Sequence, residues 1–391
     1  MADPRLPGIE RIACHVPAYY VELADLAQAR GVKPARYTRA LGQQRMAAVP
    51  PGADVVTMAA DAAERVLTPA DREHVELLLF ATESGIDQAK AAGVFVHGLL
   101  DLPSRCRVVE LKQACYSGTA GLQLAAAQLR LRPEAKALVI ASDVARYGLG
   151  TAGEPTQGAC AVAMLLSTNP QLAALEPESG LHTEDVMDFW RPNYLDTAVV
   201  DGKLSVRAYT RALAATWEHY HEQTGRELDD FARFCYHMPF SRMAEIAHQR
   251  LCAGLGQTPP AADDPVLADA QRHNRVVGNS YTASVYLALQ SALEHADDDL
   301  TGRRLALFSY GSGAVAEFFG VRVGDGYADA LDRGLSQRLQ QRTCLTIDAY
   351  ERVFNFGLPQ DGSDFPVPQD YATGPFRLEA IRGHERIYTR T

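Results

Sequence analysis

Short continuous apolar runs alternate along this chain with longer segments whose apolar residues recur at helical spacing. Residues 74–82 (HVELLLFAT) predict a buried strand that ends at Glu83, and residues 86–102 predict a helix. Further apolar runs predict strands at residues 107–111, 136–145 and 160–167. Because these strands are continuously apolar and alternate with helices, the pattern predicts an α/β fold around a sheet that is buried on both faces.

The second half of the chain repeats this order with different residues. Strands are predicted at residues 231–236, 303–310 and 314–323, and helices at residues 241–255, 266–275 and 278–296. We therefore expect two copies of one β/α unit, an N-terminal half at residues 1–169 and a C-terminal half at residues 170–391. Residues 170–230 are expected to form a long linker, and residues 328–391 a short helical and irregular tail.

A single cysteine, Cys115, follows the predicted strand at residues 107–111 and stands where a helix begins. Gly118 and Gly121 leave little bulk beside it, and the apolar segment 122–131 predicts a helix buried on all sides. The positive end of a helix favours the thiolate form of cysteine, which is a nucleophile suited to acyl transfer. The alternative is an inert buried cysteine, and the spacing alone does not choose between the two.

Composition and charge narrow the class of protein. The chain has 391 residues, which suits two fused halves better than one core. With 38 Lys and Arg against 48 Asp and Glu, its net charge of −10 argues against a nucleic-acid or anionic-membrane binder. Its seven scattered cysteines contain no CxxC pair, which predicts the reducing cytoplasm and neither a disulfide framework nor a metal site. Residues 1–5 show no apolar signal core, and no stretch approaches membrane-spanning length.

Six short segments, in order, resemble the 3-hydroxy-3-methylglutaryl-CoA (HMG-CoA) synthase family of the thiolase superfamily. They are residues 81–84 (ATES), 113–116 (QACY), 153–159 (GEPTQGA), 236–240 (YHMPF), 278–282 (GNSYT) and 308–313 (FSYGSG). The resemblance implies a five-layered αβαβα thiolase-like fold of two duplicated β/α halves, usually a homodimer. It also implies an acyltransferase of the mevalonate pathway of isoprenoid biosynthesis, with CoA thioesters as substrates and no separate cofactor.

The resemblance also assigns roles to individual residues. Cys115 matches the nucleophile that takes the acetyl group from acetyl-CoA, and Glu83 matches the base that removes a proton from the acetyl methyl group. His237 matches the residue that positions acetoacetyl-CoA and supports protonation of the new alcohol. Asn279 matches a ligand of the acetoacetyl carbonyl, and the backbone around Ser312, with the Cys115 amide, matches an oxyanion hole.

Four further residues lie in matched segments and receive supporting roles. They are Asp143, Tyr147, Asp188 and Trp190, of which Tyr147 is the candidate for contact with substrate. Each main candidate also has an ordinary structural interpretation. Glu83 and Asn279 could cap helices, His237 could be a structural histidine in a turn, and residues 311–313 could form only a tight turn. Their occurrence together and in this order favours the functional interpretation.

Arg242 departs from the family pattern, because it stands where the family generally has lysine. A guanidinium keeps the positive charge but presents a planar fork of donors instead of a point charge. Proximity to the His237 segment makes Arg242 our candidate for contact with a CoA phosphate, and the alternative is a solvated surface arginine.

Two other functions stay open at the level of sequence. Residues 115–121 (CYSGTAG) resemble the polyketide β-branching synthases, which use the same chemistry on acyl-carrier-protein partners. The longer matches at residues 153–159, 188–194 and 278–282 resemble bacterial enzymes of the mevalonate pathway and favour acetyl-CoA and acetoacetyl-CoA as substrates. A non-catalytic acyl-binding scaffold is the third function, but it has no chemical need for Cys115, Glu83 and His237 together.

Overall fold

A computed structural model describes residues 6–391, and the predicted absence of a signal core in residues 1–5 falls outside the described residues. The strands are β1 (Gly8–His15), β2 (Tyr19–Glu22), β3 (Arg45–Ala48), β4 (Val75–Ala81), β5 (Arg107–Leu111), β6 (Lys136–Ala145), β7 (Gly158–Ser167), β8 (Ala173–Thr183), β9 (Phe189–Trp190), β10 (Val199–Val200), β11 (Arg233–Tyr236), β12 (Arg304–Gly311), β13 (Val315–Val323), β14 (Thr343–Cys344), β15 (Phe365–Pro366), β16 (Phe376–Arg382) and β17 (Glu385–Arg390).

The helices are α1 (Leu23–Ala29), α2 (Ala35–Thr38), α3 (Val55–Val66), α4 (Pro69–His74), α5 (Ala92–Leu99), α6 (Ser117–Leu131), α7 (Gly202–Thr224), α8 (Met243–Gly254), α9 (Pro265–Gln271), α10 (Asn274–Val277), α11 (Ser284–His295), α12 (Tyr327–Ala330), α13 (Leu335–Gln340) and α14 (Ile347–Asn355). Short 3₁₀ turns cover Glu154–Thr156, Leu228–Asp230 and Tyr281–Ala283.

A nine-stranded sheet in the order β11-β12-β13-β8-β1-β7-β6-β4-β5 organises the chain. Its two ends are parallel, since β4 pairs in parallel with β5 and β6 at one end and β11 with β12 at the other. The two parts meet where β1 pairs with β8 through Gly8–Ala174 and Ile9–Ala173. Each part thus has parallel strands followed by antiparallel strands, three parallel strands in the first part and two in the second. The boundary between residues 169 and 170 stays a prediction.

Helices cover both faces of the first part of the sheet because successive side chains of β4 point in opposite directions. Leu78 and Phe80 face α5, where a Cβ on Gly93 would come within 2.9 and 3.1 Å of them. Leu79 faces the other way, toward Gly121 of α6. The glycines allow both helices to lie close to the strand.

The same alternation places helices on both faces of the second part. In β11, Phe234 contacts His248 of α8, whereas its neighbour Arg233 bonds to Asp269 of α9 on the opposite side. Helices α6 and α11 pack against each other in the interior, where a Cβ on Gly118 would lie 3.0 Å from the ring of Tyr286. Outer helices, the first part of the sheet, inner helices, the second part of the sheet and outer helices therefore follow one another as five layers.

Several predicted elements match the structure, and β5 and β6 agree with their predicted bounds to the residue. The helix predicted at residues 86–102 is wrong in its first part, because α5 begins at Ala92. The Asp87 carboxylate accepts hydrogen bonds from the amides of Ala89 and Lys90, which holds a turn, and Glu110 of β5 accepts from the amide of Ala92. The helix predicted at residues 278–296 likewise begins only at Ser284, after a 3₁₀ turn.

Three other predictions need correction. The predicted linker at residues 170–230 contains β8 of the central sheet and the long helix α7, and the predicted irregular tail contains the sheet β15-β16-β17. The helix α6 is not buried on all sides, since Leu124 is 55% and Leu131 79% exposed. Because α6 is rich in alanine and leucine, its sequence does not distinguish the exposed face from the buried one.

Candidate active site

Cys115 lies on a tight turn between β5 and α6. The residue before it, Ala114, has a φ of +44°, in the left-handed region that side chains disfavour. The amide of Tyr116 donates to the carbonyl of Gln113 at 3.1 Å. The hydroxyl of Ser117 accepts from the amide of Gln113 at 2.5 Å and donates to the carbonyl of Ala114 at 2.9 Å. The surrounding contacts thus hold the nucleophile candidate on a strained turn.

The thiol of Cys115 donates a hydrogen bond to Oε1 of Glu83 at 2.8 Å. Only 7% of Cys115 is exposed, and burial followed by the charge of Glu83 raises the pKa of Cys115. The prediction that the helix dipole favours thiolate at rest is therefore wrong. The helix begins at Ser117, two residues beyond the cysteine, and the carboxyl group of Glu83 lies against the sulfur.

Glu83 follows the end of β4 and points at Cys115 instead of capping α5. Burial, followed by the negative charge of the nearby Asp143, raises the pKa of Glu83 to about 8. Arg191 donates to the Glu83 carbonyl at 2.9 Å and its positive charge lowers this pKa. The carboxyl consequently gains and loses a proton near neutral pH, as a general base requires.

Asp143 is fully buried and joins the two halves of the chain at this site. Its Oδ1 accepts from the hydroxyl of Thr82 at 2.9 Å, the amide of Glu83 at 2.7 Å, and the amide and hydroxyl of Ser84 at 3.0 and 2.9 Å. Its Oδ2 accepts from the hydroxyl and amide of Thr282 at 2.5 and 3.1 Å. Sequence reasoning assigned it only a supporting role, although an aspartate inside the apolar run KALVIASDVA already signals a buried function.

His237 follows β11 and is 3% exposed. Its amide donates to the carbonyl of Phe308 at 2.8 Å, and its carbonyl accepts from the hydroxyl of Tyr209 at 2.7 Å. Burial lowers the pKa of His237 to about 3, so its ring is neutral near pH 7. Its Nδ1 has no hydrogen-bond partner within the described part of the chain. The ring is held by its backbone and leaves a polar atom for a ligand.

Tyr209 packs beside His237. The two rings lie 6.5 Å apart, and burial, followed by Tyr236, Tyr310 and Cys115, raises the pKa of Tyr209. Tyr209 stands in α7, inside the segment that the sequence suggested was a linker. Sequence reasoning missed this residue, because nothing local distinguishes it from an ordinary core tyrosine.

An aromatic wall stands beside Cys115. Tyr147 and Tyr281 are buried with the cysteine in one cluster, and Phe189 packs against them at ring distances of 6.3 and 5.7 Å. Asn279 is 2% exposed, and its Oδ1 accepts from the amide of Tyr281 at 2.9 Å. It therefore shapes the turn under the aromatic wall and does not cap α11.

The loop at residues 311–313 lies directly against the nucleophile turn. A Cβ on Gly311 would come within 2.5 Å of the Gln113 carbonyl oxygen and 2.7 Å of the Tyr116 nitrogen, so only glycine fits there. The carbonyl of Ser312 accepts from Nε2 of Gln113 at 3.4 Å. The structure thus brings Ser312 to the Cys115 turn, as the resemblance implied.

Asp188 holds this loop from the other side and is fully buried. Its Oδ1 accepts from the amide of Gly313 at 3.0 Å, and its Oδ2 accepts from the hydroxyl of Tyr310 at 2.8 Å. Trp190, two residues further along, pairs with Val199 in the hairpin β9–β10. Asp188 is therefore a positioning residue for the loop.

Arg242 is not part of the Cys115 cluster. Its side chain is 49% exposed and lies 3.7 Å from Glu245. It lines a surface cleft of about 420 Å³, whose other lining residues are Thr38, Arg39, Gly42, Gln44, Glu245 and Arg275. Three arginines against one glutamate make this cleft suitable for a phosphate group.

Together these residues supply a thiol, a carboxyl that titrates near neutrality, a neutral imidazole and a glycine loop against the thiol. This set suits acyl transfer followed by proton abstraction. Across residues 6–391, no group of three or more His, Cys, Asp or Glu is arranged to hold a metal ion. None of the helices in that range is long and apolar enough to cross a membrane.

Comparison with known proteins assigns the chain to a family. The model of the hydroxymethylglutaryl-coenzyme A synthase N-terminal domain matches residues 3–171, and that of the C-terminal domain matches residues 175–254 and 263–357. The chain is 41% identical to the hydroxymethylglutaryl-CoA synthase of Enterococcus faecalis over 358 residues, 90% of this chain and 93% of that protein.

A second relative is a polyketide biosynthesis 3-hydroxy-3-methylglutaryl-ACP synthase of Bacillus subtilis (strain 168). It is 33% identical over 409 residues, 97% of this chain and 96% of that protein. A crystal structure of HMG-CoA synthase complexed with CoA matches with a TM-score of 0.94 and 38% identity, over 99% of this chain and 100% of that one. The expected thiolase-like α/β fold is confirmed, and the chain belongs to the hydroxymethylglutaryl-CoA synthase family.

Proposed function

We propose that this protein condenses acetyl-CoA, acetoacetyl-CoA and water to 3-hydroxy-3-methylglutaryl-CoA and free CoA, for the mevalonate pathway of isoprenoid synthesis. The observation that carries the proposal is the hydrogen bond of 2.8 Å from the Cys115 thiol to Glu83. A base with its pKa near 8 stands beside a nucleophile in a chain of this family. A scaffold that only binds acyl groups has no use for that pair.

The reaction begins with acyl transfer. The sulfur of Cys115 attacks the thioester carbonyl of acetyl-CoA, the thiol proton passes to Glu83, and the C–S bond to CoA breaks. Protonation of the departing CoA thiolate regenerates the Glu83 carboxylate and leaves an acetyl group on Cys115. We assign stabilisation of the oxyanion in this step to the backbone around Ser312 and the Cys115 amide.

Condensation follows on the acetylated cysteine. Glu83 removes a methyl proton, and the resulting enolate attacks the ketone carbon of acetoacetyl-CoA to form a C–C bond. Because the ring of His237 is neutral, we assign it to donate a hydrogen bond to the ketone oxygen and not to carry a charge. The proton held by Glu83 neutralises the alkoxide, and water then cleaves the Cys115 thioester to release the product.

The second substrate is proposed to lie against the aromatic wall. Tyr147 and Tyr281 pack beside Cys115, and Asn279 accepts a hydrogen bond from the Tyr281 amide. An apolar wall suits the carbon chain of acetoacetyl-CoA, while the Asn279 amide suits its carbonyl. The Arg242 cleft is proposed to bind a phosphate of CoA, since it gathers three arginines on an acidic protein.

The alternative is condensation on an acyl carrier protein. It rests on the relative from Bacillus subtilis that is named an HMG-ACP synthase and is 33% identical. The higher identity of 41% to the Enterococcus faecalis HMG-CoA synthase favours CoA thioesters. A CoA substrate also gives the arginines of the Arg242 cleft a function.

We also propose a homodimer built through the edge strand β5. This strand pairs only with β4 in the described sheet and leaves Val109 40% exposed. Leu124 and Leu131 extend the apolar surface along the adjacent α6. A bare edge strand flanked by apolar residues is a surface that proteins normally cover. Val109→Lys is expected to shift the mass in light scattering from dimer to monomer; an unchanged mass would place the interface elsewhere.

A cytoplasmic location stays a prediction from cysteine usage.

The function is tested with purified protein, acetyl-CoA and acetoacetyl-CoA, by measuring CoA release and the mass of the product. Intact-protein mass spectrometry with acetyl-CoA alone should show one acetyl adduct, which is absent in Cys115→Ala. A parallel reaction uses the same acyl groups on an acyl carrier protein. Turnover only with the carrier protein would support the alternative, and no adduct with either donor would support the scaffold.

A further inference from the structure

A buried glutamate contacts the tyrosine that directly follows Cys115. Glu317 belongs to β13 and is 2% exposed. Its carboxylate accepts a hydrogen bond from the hydroxyl of Tyr116 at 2.8 Å and from Nε2 of Gln123 at 2.8 Å. Both donors belong to the start of α6 or the residue before it, so Glu317 connects the second half of the chain to the nucleophile helix of the first half.

The hydrogen bond to Glu317 comes from the residue next to Cys115. Tyr116 directly follows Cys115, and Ala114 before it has the disfavoured φ of +44°. A backbone in such a conformation persists only where its surroundings hold it. Ser117 bonds to the turn and Gly311 packs against it, and the Tyr116 phenol connects the turn to β13.

Burying a carboxylate in an apolar strand is costly unless hydrogen bonds satisfy it. Burial raises the pKa of Glu317, which reflects that cost. The segment around it, AVAEFFGV, is otherwise apolar, and an ordinary core residue would fill the space without this penalty. The side chain therefore has a task that packing alone does not explain.

We propose that Glu317 is a positioning residue for Cys115. Through Tyr116 and Gln123 it holds the first turns of α6, and with them the Cys115 thiol and amide, in the geometry for acyl transfer. The proposal rests on the proposed function in so far as Cys115 is the acetyl acceptor. A displacement of the nucleophile by about 1 Å costs up to about a hundredfold in rate.

The test compares Tyr116→Phe, Glu317→Gln and the double variant with wild type. Tyr286→Phe is the matched control, because it removes a buried phenol hydroxyl that bonds to Thr119 of the same helix at 2.8 Å. One readout is the rate at which acetyl-CoA acetylates Cys115, followed by rapid quench and mass spectrometry. The other is the rate at which iodoacetamide alkylates each cysteine, followed by peptide mass spectrometry.

We expect acetylation to slow by about ten- to a hundredfold in both single variants, with little further loss in the double variant, because both substitutions act on the contact between Tyr116 and Glu317. Alkylation of Cys115 should accelerate, since the released turn exposes its thiol. The buried Cys14, Cys160 and Cys235 should stay protected from alkylation. Both rates in Tyr286→Phe should equal those of wild type. Opposite changes in the two rates at Cys115 separate loss of position from loss of fold.

Equal slowing in Tyr286→Phe, independent losses that add in the double variant, or simultaneous exposure of the buried cysteines would overturn the positioning role. Wild-type protein that acetyl-CoA does not acetylate would instead contradict the proposed function. In that case the alkylation rates of Cys115 in the five proteins still decide whether Glu317 holds the turn.

Discussion

Replacing Asp143 by asparagine is expected to weaken the junction between the two halves and to lower the pKa of Glu83. The carboxylate accepts from Thr82, Glu83 and Ser84 at one oxygen and from Thr282 at the other. Asparagine retains one acceptor oxygen and turns an NH₂ group toward the remaining donors. If the retained oxygen faces Glu83, the amide of Thr282 loses its partner.

The magnitude follows from these contacts. A hydrogen bond to a charged group contributes about 1.5–3 kcal/mol and a neutral one about 0.5–1.5 kcal/mol. Losing the contacts to Thr282 and weakening those to Thr82, Glu83 and Ser84 is offset in part because a buried charge disappears. We expect a net loss of about 2–4 kcal/mol in the free energy of unfolding. Urea denaturation measures it, with Ser142→Ala as control, since Ser142 makes one buried bond of 2.8 Å to the Val55 carbonyl.

The second effect concerns pH. Asp143 is, after burial, the largest cause that raises the pKa of Glu83 to about 8. Glu83 acts as a base only when deprotonated, so the rate of proton removal rises with pH through that pKa. In Asp143→Asn the rise should move to lower pH, measured as deuterium uptake into the methyl group of the acetyl-enzyme. A rise that stays near pH 8, with stability within about 0.5 kcal/mol of wild type, would refute both the electrostatic and the structural argument.

Three other substitutions test the remaining residues. Glu83→Gln should lose condensation by about 10²- to 10⁴-fold while acetylation of Cys115 persists at a reduced rate; condensation at the wild-type rate would refute its role as the base of that step. His237→Ala should retain acetylation but bind acetoacetyl-CoA weakly in calorimetry, and unchanged affinity would contradict a role of His237 in binding this substrate. Arg242→Ala should raise KM for a CoA substrate about tenfold with little change in kcat, whereas the exposed Arg105→Ala should change neither, and identical KM values would make Arg242 a solvated residue.

The mostly apolar run at residues 136–145 determined its strand from sequence alone, because β6 is buried along almost its whole length and its composition reflects that burial. The helix predicted from residue 86 failed because its first turn is decided by side chains, Asp87 locally and Glu110 from the neighbouring strand. Periodicity records which face is buried, but not which distant carboxylate satisfies a backbone amide.

At the site, the sequence by itself predicted the candidate residues and their order, since the segments around Cys115, Glu83 and His237 resemble those of a family. Only the tertiary structure decided their working states. Asp143 and Glu317 reach across the two halves to hold the turns that carry Glu83 and Cys115. Burial keeps the Cys115 thiol protonated and the His237 imidazole neutral, and it brings the pKa of the Glu83 carboxyl to about 8. Desolvation and long-range hydrogen bonds depend on which groups meet in space, and the linear order of residues does not record that.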